Sequence, residues 1–145
     1  MREYILNALI DARDKLEAFI DNPECLSSLT NATKLIVNSL KNNSTILSCG
    51  NGGSLCDAMH FAEELSGRFR KDRPALSAIC INDPAHMSCV ANDYGYENWV
   101  TKSLEYYCKK NDLVVLLSAG GNSKNIVNAA IYCKKKNINL ITLSG

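Results

Sequence analysis

The chain has no long apolar run, no excess of either charge and no paired cysteine motif, and each absence removes a class of function. No stretch approaches the ~20 apolar residues that a membrane span requires, so none is expected to cross a bilayer. Arg2 and Glu3, then Asp11, Arg13, Asp14 and Lys15, leave no short apolar core for a secretion signal. Sixteen Lys and Arg against 15 Asp and Glu give a formal charge of +1 over 145 residues. That balance favours neither nucleic acid nor an anionic membrane, so anion recognition has to be local. The seven cysteines are scattered without a C-x-x-C pair, several inside apolar segments such as Ala78-Ile79-Cys80-Ile81. Such a set suits reduced core thiols in a cytoplasmic protein better than a disulfide framework or a thiolate zinc site. Gly/Ser-rich and Pro-rich linkers are also missing, and 46% hydrophobic residues over this length fit one core-bearing domain.

What is present begins with two amphipathic helices. Ile5, Leu6, Leu9, Ile10, Leu16 and Phe19/Ile20 recur at helical spacing over residues 3–20. Asn22-Pro23 breaks that helix, and Ser27 is the expected cap of a second one carrying Leu29, Ala32, Leu35, Ile36, Val37 and Leu40. Short apolar runs of strand length follow at 45–48, 76–81, 113–118 and 139–144, separated by helical stretches near 54–67, 97–108 and 123–136. Strands that alternate with helices and are apolar on both faces predict an α/β fold, a doubly wound parallel sheet covered on both sides. The expected single domain has its helical prelude over 1–43 and its α/β core over 44–145. His86, after Asp83-Pro84-Ala85, is expected near a turn, in a cap or surface role.

One plan occurs twice. Ile46-Leu47-Ser48-Cys49-Gly50-Asn51-Gly52-Gly53-Ser54 and Val115-Leu116-Leu117-Ser118-Ala119-Gly120-Gly121-Asn122-Ser123 each run from apolar strand to serine, Gly-rich turn, serine and helix. Glycines let backbone N–H groups converge, and the following helix start adds free donors and partial positive charge, which suits a phosphate dianion. An ordinary strand-to-helix turn also favours Gly, Asn and Ser, but two copies on one sheet favour anion binding. The lysine of G-x-x-x-x-G-K-[ST] is absent and the first loop lacks the third glycine of G-x-G-x-x-G, so the anion is expected to be a simple phosphate ester.

The helix after the first loop carries His60 and Glu64, four apart and so on one face. An imidazole and a carboxylate so placed can share a divalent metal such as Zn²⁺ or act as electrophile and general base. On spacing alone the simpler reading is a surface ion pair. Glu63 lies about 100° round the wheel and is expected to be solvated. In the basic run Arg68, Arg70, Lys71 and Arg73, Arg68 is the candidate to reach an anion.

The run from Ser48 to Ser54, then Cys56-Asp57-Ala58-Met59-His60-Phe61-Ala62-Glu63-Glu64-Leu65-Ser66-Gly67-Arg68, closely resembles the sedoheptulose 7-phosphate isomerases, or phosphoheptose isomerases, of the sugar isomerase (SIS) superfamily. Arg73-Pro74, Asn92-Asp93-Tyr94-Gly95 and Gly121-Asn122-Ser123 extend the likeness over essentially the whole chain. The resemblance implies a cytoplasmic homotetramer with active sites between subunits, supplying the heptose of lipopolysaccharide. It implies Glu64 as the acid/base that moves a proton between C1 and C2, with His60 as its partner and both as Zn²⁺ ligands. It also implies that Asn51, Gly52, Gly53, Asn92 and Asp93 contact the substrate and that Ser118, Ala119, Gly120 and Ser123 form the phosphate loop. No nucleic acid or membrane partner is expected.

Two departures stand out. The family's phosphate loop usually reads Ser-Thr-Ser-Gly-Asn-Ser, so Ala119 and Gly120 remove two hydroxyl donors, which predicts weaker phosphate binding. The family also continues past the strand ending near Gly145, and that part, which normally carries a glutamine and a histidine of the metal and proton-transfer site, is missing from these 145 residues. The alternative function is a non-catalytic SIS-type module binding a sugar phosphate or a protein; such modules lack the histidine and glutamate that stand here as His60 and Glu64.

Overall fold

A computed structural model describes all residues, Met1–Gly145. Two compact units divide the chain, Met1–Leu35 and Ile36–Gly145. Helix α1 (Arg2–Asp21) buries no residue, and its apolar positions Tyr4, Leu9, Leu16 and Phe19 are exposed. Helix α2 spans Pro23–Lys41. It starts four residues before the expected Ser27 cap, because the Asn22 side chain accepts from the Glu24 backbone N–H at 2.9 Å and Pro23 fits a first helical turn that needs no N–H.

In the second unit β1 (Ile46–Cys49) leads to α3 (Gly53–Ser66), β2 (Ala78–Cys80), α4 (Pro84–Tyr94), a 3₁₀ turn at Tyr96–Asn98, α5 (Trp99–Tyr107), β3 (Leu113–Ser118), α6 (Lys124–Lys136) and β4 (Asn139–Ser144). The four strands form one parallel sheet in the order β2-β1-β3-β4. All of β1 and all but Leu117 of β3 are buried, so both faces of the central strands are covered, as their unbroken apolar runs require. Ile46 pairs with Leu113, and Cys49 with Leu116, which brings the turns at the carboxyl ends of β1 and β3 side by side. Leu47, Val114 and Leu116 from the sheet pack with Trp99, Leu104 and Ile126 from the helices. Buried Asp112 ties the sheet's lower end, accepting from Thr45 N at 2.9 Å and Lys109 N at 2.8 Å.

Helix α4 corrects the expectation of a turn around His86. Asp83 caps it, its carboxylate accepting from His86 N at 2.9 Å, and Pro84 occupies the first turn. The His86 ring is neither cap nor surface group: it is half-buried and its Nε2 has no partner. Strand β2 is shorter than expected, three residues at the sheet edge.

Candidate active site

The first Gly turn has two distinct needs for glycine. A Cβ on Gly50 would lie 2.5 Å from Ser54 O and 2.9 Å from Leu55 N, so only glycine lets the helix start fold back over the strand end. Gly52 has φ +52°, a left-handed conformation that side chains disfavour. Beneath the turn, the buried Ser48 hydroxyl donates to Ala58 O at 2.8 Å and fastens α3 to β1. The second turn mirrors the first. Gly121, at φ +66°, donates its N–H to Ser118 O at 3.0 Å, and Gly145 N donates to Ala119 O at 3.1 Å. Ser123 stands at the N-cap of α6 without using its side chain as a cap.

The two turns are joined. Asn51 Nδ2 donates to Asn125 Oδ1 at 2.9 Å, Asn125 Nδ2 donates back to Asn51 Oδ1 at 2.8 Å, and the Tyr96 hydroxyl donates to the same Oδ1 at 3.1 Å. Together with Glu97, Ser123 and Lys124 these residues line a cavity of about 260 Å³. Sequence reasoning singled out Asn51 and Ser123 but not Asn125 or Tyr96. A residue 74 positions away becomes a partner only through sheet topology.

His60 and Glu64 meet on α3, with Nε2 3.0 Å from Oε1. The imidazole is 71% exposed and the carboxylate 32%. Glu63 is exposed, as the helical wheel predicts, and brings a carboxylate oxygen within 4.8 Å of the ligand atoms of both. The pair lines a groove of about 530 Å³ with Asp57, Phe61, Phe69 and Arg73 among its walls. Arg73 is the cation of the basic run that bonds to α3. It donates to Glu64 O at 2.5 Å and Leu65 O at 2.8 Å, satisfying carbonyls that a helix end leaves free. Arg68 is exposed.

Within one chain the groove and the cavity between the turns share no lining residue. His60 is seven residues beyond Gly53, which places it ~10 Å along the helix axis from the first turn. Ser118 instead lines a smaller pocket of about 130 Å³ with Gly121 and Ser144. Gly52, Gly53, Ala119 and Gly120 are exposed at the turns. Asn92 and Asp93 stand exposed on the last turn of α4, Asn92 Nδ2 donating to Asp93 Oδ1 at 2.8 Å, and line neither the groove nor the cavity.

Known proteins resemble both the sequence and the fold. Residues 11–145 match the SIS domain family. The phosphoheptose isomerase of Glaesserella parasuis serovar 5 is 48% identical over 144 residues, 99% of this chain and 75% of that protein. That of Histophilus somni is 46% identical, covering 99% and 73%. The structure of phosphoheptose isomerase from Neisseria gonorrhoeae superposes with a TM-score of 0.86 at 30% identity, covering 99% of this chain and 74% of that one. One from Francisella tularensis gives 0.87 at 28% identity, covering 100% and 76%. On the sequence and fold together, the chain belongs to the phosphoheptose isomerase family of SIS domain proteins.

Proposed function

We propose that the chain is an aldose-ketose isomerase that converts sedoheptulose 7-phosphate to D-glycero-D-manno-heptose 7-phosphate. The observation that carries this reading is the His60 to Glu64 contact of 3.0 Å, set in a groove on the helix that starts at the first Gly turn. Moving a proton between C1 and C2 needs a carboxylate within hydrogen-bond reach and a donor for the developing oxyanion. Glu64 supplies the carboxylate, and His60 holds one of its oxygens. Arg73 fixes the turn that carries Glu64. The phosphate sits on C7, at the far end of the substrate from the reacting carbons, so the cradle and the base must stand well apart. The groove that holds Glu64 shares no lining residue with the pockets at the second turn, in keeping with that demand.

Asn51, Gly52, Gly53, Asn92 and Asp93 would contact the sugar, and Ser118, Ala119, Gly120 and Ser123 the phosphate. One imidazole nitrogen with nearby carboxylate oxygens is a donor set that suits Zn²⁺, and His60 and Glu64 would hold it. Such an ion supplies Lewis-acid polarisation of the substrate oxygen. The absence of shared lining residues between groove and cavity, and the exposed apolar residues of α1, support a homotetramer whose sites are completed by a neighbouring subunit. No helix is long and apolar enough to cross a membrane. A cytoplasmic setting and a product destined for lipopolysaccharide heptose complete the reading.

Purified protein supplied with Zn²⁺ should turn over sedoheptulose 7-phosphate. Glu64→Gln should lose at least ~10²-fold in kcat while still binding the sugar phosphate. The second reading is a non-catalytic module that binds a sugar phosphate or a protein. Equal inactivity of wild type and Glu64→Gln, with ligand binding intact in both, would select it.

A further inference from the structure

The amide pair across the two turns fixes what Asn51 can say to a ligand. A carboxamide oxygen has two lone pairs and its nitrogen two hydrogens. In Asn51 both lone pairs are taken, by Asn125 Nδ2 at 2.8 Å and by the Tyr96 hydroxyl at 3.1 Å. One hydrogen goes to Asn125 Oδ1 at 2.9 Å. A single N–H remains on a residue that lines the 260 Å³ cavity. Asn125 is 2% exposed, so turning either amide over would set donor against donor and acceptor against acceptor in a site with little water to compensate. The partners are themselves held. Asn128 Nδ2 donates to Glu97 O at 3.1 Å and straps the 3₁₀ turn to α6, while Asn98 Nδ2 donates to Tyr94 O at 2.7 Å.

We propose that Asn125 and Tyr96 are positioning residues that lock the Asn51 carboxamide so that it presents one N–H, and no acceptor, to an oxygen of the sugar phosphate. The inference rests on the isomerase reading for the identity of the ligand, and it adds two residues to which no role in that reaction is otherwise given. Asn125 acts through Asn51, as does Tyr96. Their effect therefore exists only while Asn51 is present.

A double-mutant cycle separates this from a direct contact or a structural role. Asn125→Ala should raise KM for sedoheptulose 7-phosphate about tenfold with kcat changed by less than about threefold, as expected for one lost hydrogen bond to the ligand. Tyr96→Phe, at a residue 48% exposed, should raise KM about threefold with Tm unchanged. In an Asn51→Ala background neither substitution should add to the loss. Effects that simply multiply, or an unaltered KM in both single variants, would overturn the proposal while leaving the isomerase reading intact. Should Asn125→Ala fail to fold, the Tyr96→Phe cycle decides alone. If wild type binds sedoheptulose 7-phosphate without turning it over, the isomerase reading fails and the same cycle is read on calorimetric Kd. Absence of any binding by wild type overturns both.

Discussion

Gly50 and Gly52 are two residues apart and constrained for opposite reasons. Gly50 has backbone atoms where a Cβ would go; Gly52 has open space but a left-handed φ. Gly50→Ala must push the start of α3 off β1 and should cost ~2–3 kcal/mol in urea denaturation. Gly52→Ala should cost ~1–2 kcal/mol, the strain of the left-handed conformation alone. A reversed order would refute the steric account. The Gly turns were legible in the sequence because glycine clusters announce close backbone approach, and His60 with Glu64 because helical spacing is local. Asn125 was silent, since an asparagine in the first turn of a helix has no local pattern that names a partner on another loop. Of the seven thiols expected in the core, Cys49 and Cys133 are buried, whereas Cys56 on α3 and Cys89 on α4 are exposed. Burial, with Cys80 beside it, pushes Cys49 up to about 12, and burial with Cys108 nearby does the same for Cys133, so both stay protonated and unreactive at neutral pH.

Among the elements, α4 escaped the reading because its single buried residue, Val90, leaves no apolar stripe to detect. Its signal was at the start instead: Asp83-Pro84 is a cap followed by a first-turn proline. Strand β2 was overextended at both ends: Ser77 O still accepts from Ile46 N and Ile81 N donates to Ser48 O, but the paired residues run only from Ala78 to Cys80. The end of α3 depends on a residue outside the helix, and that dependence can be tested. Arg73→Ala should free the Glu64 carbonyl and leave Leu65 O with only its bond from Leu76 N, lower stability by ~1–3 kcal/mol and reduce kcat by loosening the turn that carries Glu64. Thermal unfolding and steady-state kinetics would check both effects. Arg73→Lys should not restore them fully, because the two carbonyls are held by the two arms of one planar fork.

For the whole molecule, the repeated strand-turn-helix plan was enough to foresee neighbouring ligand turns on a parallel sheet. The separation of the His60 and Glu64 groove from the cavity between the turns was not, because it depends on where each helix face settles after packing. The exposed apolar positions of α1 make self-association an expected property. Leu9→Glu with Leu16→Glu should shift the protein to smaller species in analytical ultracentrifugation, and an unchanged distribution would count against the homotetramer. The link between Asn51 and Asn125 has a further consequence in time. It bridges 74 residues and depends on β1 lying beside β3, so local helices can form in an emerging chain long before the binding pocket does. Competence to hold substrate is thus among the last properties a newly made molecule acquires and among the first it surrenders when the central ladder opens.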